Sequence, residues 1–173
     1  MRLSLLAAVW VTALLATACG YHVSGHADLL PKNIKTIAVP AFGNATTRYM
    51  LGRLLPEDIT REFISRTRYA VVADPAKADA VLTGTVVNAV AYPTTVDPVS
   101  GRATGIQAVV TLQLALTDRS TGKVIWDRPS ADFRENYQIA IDPSQYFDES
   151  STAMIRLSQD VARTVVSGVL EQF

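Results

Sequence analysis

The chain has 173 residues, about the length of one domain. Its hydrophobic fraction of 49% and charged fraction of 18% exclude a disordered chain and a long coiled coil. Sixteen basic and sixteen acidic side chains balance, so no charge excess indicates nucleic-acid binding. The single cysteine excludes an internal disulfide and a multi-cysteine metal site. The chain has two histidines, His22 and His26, and we expect neither a metal nor a cofactor.

The first eighteen residues have the three parts of a secretory signal. Arg2 supplies the positive start, residues 3–15 are almost wholly apolar, and residues 16–18 are small. Because roughly 20 apolar residues are needed to span a bilayer, this run is too short for a comfortable membrane span. We therefore predict a lipoprotein signal peptide over residues 1–18.

Cys19 follows these small residues directly, as in the bacterial lipobox, where the acceptor cysteine is acylated and becomes the new N-terminus. Ala16 stands where leucine is commoner. An unpaired thiol is a liability in an oxidising compartment, and three acyl chains are more than stable anchoring needs. We predict lipidation at Cys19. Gly20, in place of an aspartate that would resemble an inner-membrane retention signal, favours the outer membrane.

The mature chain begins with a tether and continues into one domain. Residues 19–33 contain glycine and proline without clear periodicity, and we interpret them as the lipidated tether. A single domain is predicted over residues 34–173. It opens with a short buried strand at 34–40, which a loop at 41–44 follows.

The first helix is predicted over residues 45–67. Its apolar positions recur every fourth residue, at Leu51, Leu55, Ile59 and Phe63. Pro56 either kinks one long helix or starts a new one with Glu57 and Asp58 in its first turn. The pattern favours one kinked helix.

The middle of the chain reads as strands and turns. In order these are a short strand at 69–73, a turn at 74–79, a long strand at 80–95, a hairpin loop at 96–105 and a strand at 106–117. The last of these alternates most cleanly, with Ile106, Ala108, Val110, Leu112, Leu114 and Leu116 on one face. We expect Leu112 and Leu114 to point into the core beneath the last helix.

A turn at 118–122 and a strand at 123–139, bulged near Pro129, precede the last helix. That helix runs from Gln145 or Glu149 to near Phe173, with Met154, Leu157, Val161 and Val165 on one stripe. The order of elements predicts an α/β (α+β) fold. It is a two-layer sandwich in which two helices pack on one face of a mixed β-sheet of four to five strands.

No catalytic motif is present, so we expect a binding or assembly protein and not an enzyme. Late aromatic residues are interpreted as core packing; they are Trp126, Phe133, Tyr137, Tyr146 and Phe147. Cations gather toward the hairpin ends and the last strand, at Arg102, Arg119, Lys123, Arg128 and Arg134. Arg102 is the candidate binding residue, because it lies on the tip of a long hairpin.

Several stretches together resemble the LptE family of lipopolysaccharide-assembly lipoproteins. They are residues 19–23 (CGYHV), residues 34–40 with Phe42 and Asn44, residues 78–84 (ADAVLTG), residues 122–126 (GKVIW), and Glu135 with Tyr137. They occur in the family's order over nearly the whole mature chain. The family's fold, a small sheet with two helices, agrees with the reading above.

The resemblance implies assembly and transport. Members of the family lie inside the LptD outer-membrane barrel, help it assemble and bind lipopolysaccharide during delivery to the outer leaflet. The expected partners are therefore LptD, lipopolysaccharide and the membrane that holds the lipid anchor, with the domain facing the periplasm or the barrel lumen. Arg102 lies in the loop where enterobacterial members carry a basic residue implicated in lipopolysaccharide contact.

A second interpretation stays open. The pattern Ile-Ala-Val-Pro-x-Phe-x-Asn at residues 37–44 also occurs in lipid-anchored periplasmic regulators and secretion-assembly subunits, such as peptidoglycan-synthase activators and curli-type secretion lipoproteins. Such a protein would bind a soluble synthase domain or form a ring.

Overall fold

The computed structural model describes residues 30–139 and 149–171. In chain order the elements are β1 Thr36–Ala38, β2 Gly43–Asn44, α1 Leu51–Arg66, β3 Ala70–Val71, a 3-10 turn Pro75–Lys77, β4 Ala80–Val96, β5 Ala103–Asp118, β6 Val124–Gln138 and α2 Ser150–Glu171. The predicted signal segment, both histidines, Cys19, Tyr146 and Phe147 lie outside the described residues.

The strands form one mixed sheet in the order β3-β1-β4-β5-β6, with β2 beside β4. Strands β1, β2 and β3 join by parallel pairing, and β4, β5 and β6 form an antiparallel meander. The mixed α+β architecture is confirmed, but six strands replace the predicted four to five. The extra strand is β2, in the predicted loop at 41–44, whose two residues are too few to show a periodic pattern.

Both helices cover one face of this sheet. The repeating apolar positions of α1 are fully buried, and those of α2 are buried with them in one cluster. On β5 the buried positions alternate as predicted, with Leu112 0% and Leu114 3% exposed. The opposite face is more polar. There Gln107 donates to Asn136 (3.2 Å) and Thr111 donates to Asp132 (2.8 Å).

Helix α1 begins at Leu51, six residues later than the predicted start at 45. Asn44 accounts for the difference. Its Oδ1 accepts from the Thr46 backbone N–H and hydroxyl, and its Nδ2 donates to the Arg48 carbonyl. Side-chain bonds of this kind compete with helical backbone bonds, so the segment turns before the helix starts.

Pro56 lies within one continuous helix, as the favoured alternative predicted. Proline has no N–H to donate to the carbonyl four residues earlier, which is that of Gly52. That carbonyl instead accepts from the backbone N–H of Phe42 at 3.2 Å. The Gly52 carbonyl, which Pro56 leaves without its helical partner, thus holds the segment before β2 through the Phe42 N–H. Since the helix starts at Leu51, Glu57 and Asp58 lie beyond its first turn.

The remaining boundaries follow the prediction with local differences. The strand predicted at 69–73 is reduced to Ala70–Val71. The bulge predicted near Pro129 is present, because the β5–β6 register shifts between Leu112 opposite Ala131 and Leu114 opposite Arg128. Leu30, assigned to the tether from the sequence, is buried in the core.

Candidate binding surface at the hairpin tip

The β4–β5 hairpin is the longest feature of the sheet and carries almost no charge. Asp97 and Arg102 are the only charged side chains between residues 80 and 117. Strand pairing continues to Val96 opposite Ala103. The predicted ten-residue loop at 96–105 is therefore wrong in length, and the connecting turn is confined to residues 97–102. The backbone hydrogen bonds between β4 and β5 continue beyond the residues whose side chains alternate between apolar and polar. The side-chain pattern therefore does not reveal where the two strands end.

Hydrogen bonds from Asp97 order this turn. Its carboxylate accepts from the backbone N–H of Ser100 (2.8 Å) and from the Ser100 hydroxyl. Its carbonyl accepts from the Gly101 N–H at 2.8 Å, and Gly101 has a φ of 69°, where a β-carbon would be strained. The Ser100 hydroxyl and N–H hold the pKa of Asp97 below its usual range. The tip is thus an ordered turn in which the ionised carboxylate of Asp97 accepts hydrogen bonds from Ser100 of the same turn.

Arg102 closes the turn, since its carbonyl accepts from the Asp97 N–H at 2.8 Å. Arg102 is exposed. Its guanidinium takes part in none of the ion pairs in the part of the chain that the structure describes. Beside it in the turn, Val99 is 94% exposed. The tip therefore presents a cation together with an apolar side chain, a combination that suits an anionic amphiphile.

The turn at the other end of β5 has the same hydrogen-bond pattern, but it also bonds to a residue outside the turn. Asp118 accepts from Ser120 and Thr121, and the Gly122 N–H donates to its carbonyl at 2.8 Å. Gly122 also has a φ of 69°. Here, however, Asp118 is buried and also accepts from Asn33. This turn is held against the domain, whereas the tip turn is tied only to its own residues among the bonds described.

The other cations do not form one patch with Arg102. Arg119 donates from Nε to the Ala78 carbonyl (2.9 Å), Arg128 lies over the ring of Trp126 (5.5 Å), and Arg134 pairs with Asp132 (3.5 Å). At roughly 3.4 Å per residue, the seventeen residue steps from Arg102 to Arg119 along β5 span about 58 Å. The cations thus lie at both ends of the hairpin and along β6, as the sequence predicted.

The late aromatics are core residues where they are described. Trp126 and Tyr137 are buried, and Phe133 packs partly buried against the same cluster. Sequence reasoning missed a different set, the exposed apolar side chains of the hairpin: Val87, Tyr92, Val96 and Val99. The available signal was the absence of charge in residues 80–96.

Within residues 30–139 and 149–171, no cluster of three or more histidine, cysteine or acidic residues has metal-binding geometry. Neither of the two helices in these ranges is both long enough and apolar enough to cross a membrane.

The fold is that of a small α+β domain. The sequence model of the LptE family, described as lipopolysaccharide-assembly, matches residues 34–168. The chain therefore belongs to the LptE family. A search of the curated proteins finds no match.

Several solved bacterial structures share the fold at low sequence identity. Protein XCC0632 from Xanthomonas campestris is 14% identical with a TM-score of 0.54, over 84% of this chain and 90% of that one. Lipoprotein B from Nitrosomonas europaea is 14% identical with a TM-score of 0.51, over 77% and 80%. A variant PelC dodecamer from Paraburkholderia phytofirmans is 19% identical with a TM-score of 0.50, over 80% and 90%. At these identities the likeness supports the fold alone.

Proposed function

We propose that this protein is an outer-membrane lipoprotein, acylated at Cys19, that binds inside the LptD barrel and helps it assemble. In that complex it takes part in lipopolysaccharide transport to the outer leaflet and insertion there. It acts by binding and has no enzymatic activity. The observation that carries the proposal is the family match, which covers residues 34–168 and so includes α1, every strand and all but the last three residues of α2.

The hairpin tip supports a direct role in lipopolysaccharide contact. Lipid A has anionic phosphates on an apolar body, and the tip offers Arg102 beside the exposed Val99. A guanidinium binds a phosphate through two parallel hydrogen bonds. Because Asp97 is already bonded to Ser100, its carboxylate is held within the turn. We assign the phosphate contact to Arg102.

Recovery of the membrane partner tests the proposal. The full-length chain, tagged at its C-terminus, is expressed in its native bacterium, and the outer membrane is extracted in mild detergent. We expect the tagged protein to bring down one outer-membrane barrel, recognised by its heat-modifiable migration in gels and identified by mass spectrometry. A tagged lipoprotein of unrelated fold serves as the control.

Other outcomes contradict the assignment. Recovery of a peptidoglycan synthase, or of a ring of this chain alone, would establish the regulator or secretion-subunit interpretation. Recovery of the barrel with the control as well would show that the capture is not specific.

A further inference from the structure

The two long edges of the sheet differ in how they are protected. Strand β6 forms one edge, and five of its fifteen residues are charged: Asp127, Arg128, Asp132, Arg134 and Glu135. It also carries Pro129 at a bulge. Charges, proline and bulges are the devices that prevent another strand from pairing with an edge. The β6 edge is therefore guarded against strand addition.

The other long edge belongs to β4 and is covered only in its first half. Strand β1 pairs as far as Val81, and β2 pairs as far as Val86, whose carbonyl also accepts from the Ala45 N–H at 2.9 Å. Past Val86, no strand among the described residues pairs with this side of β4. Its partner β5 occupies the other side up to Val96.

The uncovered half of β4 lacks the charges of β6, although its register with β5 also shifts at Val87, between Val86 and Asn88. Residues 80–96 contain no charged side chain. Val87 and Tyr92 are 41% and 55% exposed, so this part of the strand presents apolar side chains to solvent. Val87 lies at that register shift and Pro93 cannot donate a backbone hydrogen bond, so the usable edge is residues 88–92. Five residues lie within the common range of strand lengths.

We propose that residues 88–92 of β4 receive an added β-strand from the barrel partner. This inference rests on the proposed function, and it names the surface and the mode of contact. The added strand is an extended, uncharged segment held by main-chain hydrogen bonds to the free edge. Residues 88–92 carry no charge, which favours an uncharged segment; Arg48 lines a small cavity with Ala89, Val90 and Ala91 beside them.

The side chains on this edge distinguish a partner segment from a second copy of the chain. In the β4–β5 register, Ala89 and Ala91 lie opposite the buried Val110 and Ala108, and so face the helices. A two-fold pairing of β4 with itself, centred on Val90, would set Ala89 against Ala91 of the other copy. Small residues opposite each other leave the pair poorly packed, whereas β-branched or aromatic residues of a partner strand would fill the space.

Site-specific photo-crosslinking in the native bacterium tests the inference with matched positions. A benzophenone amino acid replaces Val90 or Tyr92 on the β4 edge, and Arg134 or Asn136 on the β6 edge. The controls lie at the same level of the sheet, because Val109 pairs with both Val90 and Arg134, and Gln107 pairs with both Tyr92 and Asn136. A fifth position, Val99, reports on the hairpin tip. We expect adducts with the barrel at Val90 and Tyr92, and none at Arg134 and Asn136.

The outcomes separate this inference from the proposed function. Barrel adducts at Val99 or on β6, without any at Val90 and Tyr92, would overturn strand addition and leave the function standing. Adducts between two copies of this chain at Tyr92 would also overturn it. If none of the five positions captures a barrel, the proposed function itself fails.

A substitution gives an independent readout. Val90→Lys places a charge on the edge, and we expect about a tenfold loss of barrel recovery because the ammonium loses hydration without gaining a partner. Ile64→Lys is the matched control, since Ile64 is an exposed apolar residue on α1. Thermal melting of both variants shows that the fold persists. Equal recovery of the barrel by Val90→Lys and the wild type would refute the inference.

Discussion

A β-carbon on Gly84 would lie 2.5 Å from the ring of Phe42, closer than any real contact of this kind. Phe42 is buried, and its ring fills the space above β4 that a side chain at position 84 would take. The backbone N–H of Phe42 also bonds to the Gly52 carbonyl at the start of α1. The pair therefore joins β4, the segment before β2 and the first helix.

Gly84→Ala should lower the free energy of unfolding by about 1–3 kcal/mol, because the ring of Phe42 and the backbone around it must move. Chemical denaturation measures the change. Gly168→Ala on α2 is the control of opposite sign. The nearest atom to its new β-carbon is 3.5 Å away, and alanine in a helix is more stable than glycine by roughly 0.5–1 kcal/mol. If both variants shift in the same direction, the close approach has no energetic consequence.

Leu112→Ala should destabilise the domain by roughly 2–5 kcal/mol, since Leu112 is fully buried on the central strand beneath the helices. Its neighbour Gln113 is exposed on the other face, and Gln113→Ala should change stability by less than about 0.5 kcal/mol. Thermal and chemical unfolding of both variants provide the measurement. Similar effects for the two would mean that the faces of β5 are assigned wrongly.

Stability should fall in acid because Asp79, Asp97 and Asp118 accept hydrogen bonds as carboxylates. The Ser120 hydroxyl and N–H hold the pKa of Asp118 below its usual range, and the backbone N–H groups of Lys35 and Thr36 do the same to the pKa of Asp79. A depressed folded pKa stabilises the fold above the unfolded value of about 3.9. That contribution is lost as the pH falls through the folded pKa.

The variant Asp118→Asn isolates one of these groups. It should be less stable than the wild type at pH 6, and the difference should shrink as the pH falls below about 4, where the carboxylate of the unfolded chain becomes protonated, until the pH passes the lower pKa of the folded protein. Chemical unfolding from pH 6 down to pH 2 follows the change. A difference that stays constant over this range would show that ionisation of Asp118 does not contribute.

Arg102→Asp should weaken lipopolysaccharide binding by on the order of 1–2 kcal/mol, a factor of about 5 to 30 at low salt. The loss should be smaller at moderate salt, because exposed charges are screened. Lys123→Asp is the matched control, since Lys123 is exposed and follows Gly122 in the turn built like that of the tip. Thermal melts should be nearly unchanged in both. Equal affinities of Arg102→Asp and wild type at both salts would remove Arg102 from the binding surface.

Cys19→Ser should leave an unprocessed and unacylated precursor, because serine offers no thiol for the thioether bond. Membrane fractionation and mass spectrometry of the intact protein provide the measurement. Normal maturation and membrane partition of this variant would contradict the proposed anchor.

Side-chain patterning determined the elements that bury one face. The fourfold spacing of Leu51, Leu55, Ile59 and Phe63 and the alternation along β5 predicted both layers and the α+β class, and these positions are buried as expected. The position of Arg102 at a hairpin tip was also evident, because the glycine and proline of residues 96–105 interrupt two long apolar runs. Burial leaves a periodic signature in the local sequence, so these features need no knowledge of distant contacts.

Other features depended on the tertiary structure. Strand β2 exists because Gly43 and Asn44 pair with Thr85 and Val86, forty residues along the chain. The hairpin shortens to a six-residue turn because backbone hydrogen bonds continue beyond the last buried side chain. The close approach of Phe42 to Gly84 and the uncovered half of the β4 edge likewise depend on where each strand of the sheet ends. Backbone pairing between distant segments carries no side-chain period, so only the assembled sheet decides which edges are covered and which are free to bind.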